Sequence, residues 1–202
     1  MAISRRTLLG RAASGVALAT LPSAFSWCRD VDSPISSGVV RRALDALERH
    51  RGNIAQRDTV GIADFSLPSS APRFHLLNVA DGSVRSHLVA HGRGSDPDHT
   101  GWLERFSNEP CSHATSAGAF RTDRIYVGEH GHSIRLEGLD ASNSNAASRA
   151  IVVHGAWYVS EAIAKEQRVL GRSEGCFALA QSSIGEVLAA LGSGRLIYAE
   201  KV

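Results

Sequence analysis

Two short segments of this 202-residue chain carry side chains suited to nucleophilic chemistry. The first, Ile151-Val152-Val153-His154-Gly155-Ala156, reads as a buried strand ending in a histidine and a glycine, which sets an imidazole at the rim of a sheet. A neutral imidazole takes a proton from a thiol near pH 7 and later returns it to a leaving amine. Its second ring nitrogen needs an orienting acceptor, and a backbone carbonyl suffices. The second segment is Leu170-Gly171-Arg172-Ser173-Glu174-Gly175-Cys176-Phe177. Gly171 and Gly175 let the backbone bend tightly and approach a ligand. Backbone N–H groups beside Cys176 can then face a developing oxyanion. A thiolate paired with an imidazolium has a depressed pKa and becomes a nucleophile at neutral pH. Arg172 adds positive potential or a bidentate partner for a substrate carboxylate.

Taken singly, these signals have plainer readings. A lone cysteine is more often a small buried hydrophobe. A polar side chain at the start of a loop more often serves the backbone than a substrate. That applies to His91 and Arg93, in His91-Gly92-Arg93, and to His130 and His132 beside Gly131, all candidates to line a cleft. His113, near Cys111 and His91, raises the question of zinc. No CxxC spacing occurs, so neither a metal nor a cofactor is expected.

The elements that must position these residues follow a period of two from Thr59 onward. Val60, Ile62 and Phe65 predict one strand, Phe74, Leu76 and Val79 another, and Asp81-Gly82 a hairpin turn into a strand over 84–90. A loop rich in Gly, Ser, Asp and Pro runs from His91 to about Gly118, long enough to expect a functional role. Strands resume over 120–127 and 133–136. A polar stretch over 141–148 precedes the most apolar strand, 150–153. Glu161 to Gln167 predicts a helical turn, Ser182 or Ser183 caps a helix through Leu191, and 196–198 forms a last strand. Before all of these, Ser36 and Ser37 can cap an amphipathic helix with Val40, Ala43, Leu44 and Leu47 on its apolar face and Gly52 at its end. Many strands, few helices and no βαβ alternation predict an α+β domain, mainly antiparallel β with attached helices.

The first twenty-six residues read as an address. Arg5, Arg6 and Arg11 form a basic start, an apolar run follows from Ala12 to Leu21, and small residues lead to cleavage after Ala24 or Ser26. The run is short of the about 20 residues a membrane span needs. Ser4-Arg5-Arg6-Thr7-Leu8-Leu9 is similar to a twin-arginine signal, which predicts an exported, periplasmic protein with no integral membrane association after processing. Without those three arginines, 19 basic side chains face 20 acidic ones, so net charge falls from +2 to −1. A near-neutral surface offers no footprint for nucleic acid. Residues 27–56 then form an N-terminal helical segment and 57–202 the main domain. Three cysteines leave at least one thiol unpaired, and a Cys28–Cys111 disulfide is one open option.

Taken together, Val153-His154-Gly155-Ala156-Trp157-Tyr158-Val159 and Gly171-Arg172-Ser173-Glu174-Gly175-Cys176 resemble the YkuD-type L,D-transpeptidase catalytic domain, in its murein-specific branch. That family pairs a histidine-glycine on one strand with a Ser/Thr-x-Gly-Cys motif about twenty residues later. The similarity extends upstream through Ile62 to Ser66, Val89 to Gly94, Phe106 to Asn108, Ser116 to Phe120 and Ile134 to Leu139. The resemblance implies thioester chemistry on peptidoglycan stem peptides, cleaved before a fourth-position D-alanine. Water, a second stem or a lipoprotein then serves as acceptor. Cys176 would be the nucleophile and His154 the general base and acid, with Gly155 orienting His154 through its carbonyl. Ser173, Gly175 and the Cys176 backbone would shape the oxyanion and substrate site. Two positions depart from the best-known motif. Glu174 replaces a histidine, and Ala178 replaces an arginine whose carboxylate-binding role would fall to Arg172 or Arg93. An inward Glu174 would raise the thiol pKa, so it is expected to point away. The rival readings are a zinc-dependent murein peptidase and a non-catalytic wall-binding protein on the same fold.

Overall fold

The computed structural model describes residues 35–201, so the predicted export signal and Cys28 lie outside the described residues. From residue 35 the chain enters α1 (Ser37–Arg49), capped by the Ser36 hydroxyl, which accepts from Gly38 N–H. Val39, Ala43, Ala46 and Leu47 are its buried stripe, one position earlier in phase than Val40 and Leu44 suggested. His50, not Gly52, caps the C-terminal end, its N–H donating to Ala46 O. Placing Val39 rather than Val40 inward lets α1 cover Val60, Ile62, Leu77 and Tyr198.

Nine strands form one mixed sheet in the order β3-β2-β1-β9-β5-β6-β7-β8-β4. They are β1 (Thr59–Asp64), β2 (Phe74–Asn78), β3 (Val84–His87), β4 (Val89–Ala90), β5 (Gly118–Gly128), β6 (Gly131–Gly138), β7 (Val152–Ala156), β8 (Phe177–Ala180) and β9 (Leu196–Glu200). Six of the eight strand pairings are antiparallel; β1–β9 and β7–β8 are parallel. The run predicted as one strand over 84–90 is two. β3 and β4 occupy opposite edges of the sheet yet are separated only by Leu88, so the sheet curls until its edges meet there.

The curl encloses the main core. Phe65, Phe74, Phe120, Ile134, Val153, Phe177 and Ile197 meet on the inner face, closed by Val187, Leu188 and Leu191 of α3 (Ile184–Leu191). Alternate residues face the other way, as a pleat of period two requires. Ala90, Ala156, Ala178 and Ala180 there join Val159 and Leu170, with Ile163 and Ala164 of α2 (Glu161–Gln167) packed against them. Ala178 is fully buried in that cluster. An arginine at 178 would drive a guanidinium into this apolar layer, so the motif's departure there is matched by its surroundings.

The segment between β4 and β5 has only one 3-10 turn, Arg93–Ser95, yet it is well ordered by polar contacts. Arg73 is its anchor. This fully buried guanidinium donates to Val89 O, Leu67 O and His91 Nδ1, and lies over the Phe65 ring. Burial pushes its pKa down to about 9, opposed by the nearby Asp64 and Asp96 carboxylates.

Candidate active site

Cys176 stands immediately before β8, in a turn that is pinned on three sides. Ser173 N–H donates to His91 O and Arg93 N–H to Ser173 O, so the turn is bridged to Gly92. The Ser173 hydroxyl donates to Cys176 O at 2.7 Å and accepts from Gly175 N–H at 3.2 Å. Ser173 is thus the internal staple of the turn. Gly175 adopts φ +117, and a Cβ there would fall 2.8 Å from Ala114 O and 2.9 Å from the Ile151 side chain. Only glycine fits both the dihedral and the space. Gly92 is equally confined, with a Cβ placed 2.7 Å from the Gly175 Cα. Because Gly175 N–H is engaged, Cys176 N–H is the group left to face an oxyanion; among the described residues it has no backbone partner outside the strands.

His154 lies in the middle of β7, not at its end, because the strand continues through Gly155 and Ala156. The parallel register pairs His154 with Ala178, two residues beyond Cys176. The two candidates therefore sit about one diagonal apart, His154 in β7 and Cys176 at the entry to its neighbour β8, roughly 8 Å between backbones from strand spacing and rise. His154 Nδ1 is 3.0 Å from Gly155 O. A carbonyl only accepts, so the proton is on Nδ1 and the Nε2 lone pair is the basic end. Burial pushes the His154 pKa below the ordinary histidine value, against the Gly155 hydrogen bond and helped by the His130 ring. That ring stacks on His154 with centroids 4.3 Å apart.

The half-buried Cys176 thiol lies 3.7 Å from Ala150 O, to which it donates. Ala150 has φ +54, a left-handed conformation that turns this carbonyl under the sulfur and delays β7 to Val152. Burial pushes the thiol pKa up, opposed by the Val152 N–H and the Arg149 guanidinium. Both shifts favour the neutral thiol–imidazole pair over the thiolate–imidazolium pair that the residue types suggest.

The remaining predicted residues divide. His91 does not line the cleft: it is buried, with Nδ1 against Arg73 and Nε2 3.2 Å from Asp96. His132 faces away from His154, because the β6–β7 register pairs His154 with Ser133 and turns residue 132 to the opposite face. Its neighbour His130 makes the contact instead. Glu174 does point aside, its carboxylate binding Arg93 at 2.8 Å and His113. Arg172 is spent on the carbonyls of Asp96 and Pro97. Neither Arg93 nor Arg172 is thus a free carboxylate ligand in this conformation. Two pockets sharing His113 flank the turn. One of about 420 Å³ is lined by Pro110, Cys111, Ser148, Arg149 and Glu174, and one of about 260 Å³ lies between Arg93 and Arg172.

The L,D-transpeptidase catalytic domain model matches residues 32–199. The chain belongs to the L,D-transpeptidase catalytic domain family. Solved L,D-transpeptidases are similar to it. The enzyme from Mycobacterium smegmatis is 16% identical, with 71% of this chain and 58% of that one covered and a TM-score of 0.42. L,D-transpeptidase 3 from Mycobacterium tuberculosis is 14% identical, with coverages of 71% and 61% and a TM-score of 0.44. The helical cell shape determining protein Pgp2 from Campylobacter jejuni is 11% identical, with coverages of 83% and 57% and a TM-score of 0.47. The chain spans less than two thirds of the length of each of these structures. No curated protein matches it. Among the described residues, no helix is long and apolar enough to cross a membrane.

Proposed function

We propose that this member of the family is an exported cysteine L,D-transpeptidase, or L,D-carboxypeptidase, acting on peptidoglycan stem peptides, with Cys176 as nucleophile and His154 as general base and acid. The observation that carries the reading is the tautomer of His154. Its Nδ1–H is committed to the Gly155 carbonyl, which leaves a basic Nε2 one diagonal from the sulfur.

In the first half-reaction His154 Nε2 takes the Cys176 proton as sulfur bonds to the carbonyl carbon of the third residue of the stem. Charge develops on the carbonyl oxygen, where Cys176 N–H is the available donor. The C–N bond then breaks, and His154 returns the proton to the departing D-alanine amine. In the second half-reaction an amine or water attacks the thioester and gives its proton to His154. The carbon–sulfur bond breaks and the thiol is reprotonated.

The test uses defined tetrapeptide muropeptides and mass spectrometry. The unmodified enzyme is expected to release D-alanine or form cross-linked dimers, and Cys176→Ala to do neither. Full activity in Cys176→Ala would overturn the assignment.

A further inference from the structure

The arginine that the family motif places after its cysteine is absent here, and a different one stands at the turn. Arg149 reaches it from the β6–β7 connection, with Nη2 positioned 3.2 Å from where a Gly175 Cβ would lie. All four terminal N–H donors of its guanidinium have acceptors. Nη1 donates to Ser107 O and to the Ser116 hydroxyl, and Nη2 to the Ser112 hydroxyl and to Ala114 O, at 2.5–3.1 Å.

Those four acceptors are neutral, and among the described residues no carboxylate lies within ion-pair distance of Arg149. Glu174, on the turn, is committed to Arg93 and His113, and Glu109, which also supports the charged form of Arg149, makes no ion pair with it. This arrangement is poor for gripping a substrate carboxylate, because the donors a bidentate pair needs are occupied. It is well made for a fixed charge, since the four contacts hold the guanidinium in place without cancelling it.

The charged and titratable groups around the sulfur come from four places. They are Arg149 from the connection, Glu174 from the turn itself, Tyr158 from the segment after β7, and His154 from β7. Among the described residues, Arg149 is the permanent cation that favours the thiolate, and the effect is mutual: an ionised Cys176 supports the charged form of Arg149 against its desolvation.

We propose that Arg149 is a positioning residue, a clamped and unneutralised cation against which the Cys176 thiolate forms, and that it replaces the charge lost at position 178 without binding substrate. The inference rests on Cys176 being the nucleophile proposed above.

The experiment follows alkylation of Cys176 by iodoacetamide against pH, with peptide mass spectrometry to separate it from Cys111 and Cys28. In Arg149→Met the midpoint is expected to rise by about one unit, the lower end of what a nearby opposite charge supplies. The thiolate fraction at pH 7 then falls about tenfold. Allowing for the higher nucleophilicity of a more basic thiolate, the alkylation rate falls about three- to fivefold. Arg149→Lys, which keeps the charge but not the four contacts, is expected to restore most of the profile. An unmoved midpoint in Arg149→Met overturns the proposal. So does a rise in Arg149→Lys as large as that in Arg149→Met, since that assigns the effect to tethering of residues 107–116. If Arg149→Met fails to fold, Arg149→Gln carries the same test with its amide donors retained. The titration needs no substrate. A normal shift with no D-alanine release therefore faults the substrate reading alone, and normal release with an unmoved midpoint faults this inference alone.

Discussion

The chain contains two histidine-glycine pairs entered from apolar strands, Val89-Ala90-His91-Gly92 and Val152-Val153-His154-Gly155, and they are alike in almost every local respect. Both imidazoles are buried, at 1% and 2% exposure, and burial pushes both pKa values down. They differ in how many ring nitrogens are committed. His91 has Nδ1 against the Arg73 guanidinium, which only donates, so its proton is on Nε2 and points at Asp96. Both ends are satisfied and the ring is a strut. His154 satisfies only Nδ1. What separates His91 from His154, the base proposed above, is one uncommitted lone pair, and neither burial nor sequence context reveals it.

The sharpest way to break that comparison is to truncate each ring. His154→Ala is expected to lower turnover on tetrapeptide muropeptides by about 10³-fold, within the range general acid–base catalysis spans, with melting temperature little changed. His91→Leu is expected to do the reverse. It strands a buried arginine donor and a buried carboxylate, and breaking such a network costs about 3 kcal/mol. The surviving folded fraction should keep its specific activity. Urea unfolding and initial rates on both variants decide the matter, and a folded but inactive His91→Leu would show that the strut reading is wrong.

A second, smaller effect concerns acid. The pKa of His91 is lowered to about 4, mainly by burial and then by Arg73, and that of His75 to about 4 by burial. Both folded values lie below the unfolded value near 6.5. Stability is then fully present above pH 6.5 and is lost as pH falls toward 4, because only the unfolded chain takes up the protons. The expected slope is about 1.4 kcal/mol per pH unit for each imidazole. Urea midpoints at pH 7, 6 and 5 should fall progressively, and His91→Leu should show a shallower slope. Equal slopes in the two proteins would sink the assignment of this loss to the strut.

The comparison also marks how far the residues alone could be read. Most strand positions and the α+β class follow from period-two patterning, and the two glycine-flanked motifs single out residues 154 and 176. The order of the sheet does not: β9, last in sequence, inserts between β1 and β5, which no local pattern encodes. Alanine gives no sign of a positive φ, so Ala150 reads as part of a strand, yet its left-handed turn supplies the carbonyl under the sulfur. Arg73 and Arg149 sit in polar surroundings that read as solvated surface. Their roles depend on acceptors far away in sequence. The burial that raises the thiol pKa is hidden for the same reason, since desolvation belongs to the folded site and not to the residue type.

The smallest effect probes the ring above His154. His130 is exposed at the β5–β6 turn and stacks nearly parallel to His154, with 24° between planes. It can act on its neighbour in two ways. As a cation it opposes a second positive charge 4.3 Å away, and as a flat cover it keeps water from one face of the buried ring. Both effects hold the His154 pKa down, so His130→Ala is expected to move the acid limb of kcat/KM upward by a few tenths of a pH unit, with rates at pH 7 changing about twofold or less. His130→Phe separates the causes, because it keeps the cover and removes the charge. If burial dominates, as it does for His154 itself, the phenylalanine variant should retain the unmodified limb. A limb in His130→Phe displaced as far as in His130→Ala would assign the effect to charge instead, and the contrast between the two histidine-glycine pairs would then rest on electrostatics at the hairpin tip as well as on the free lone pair.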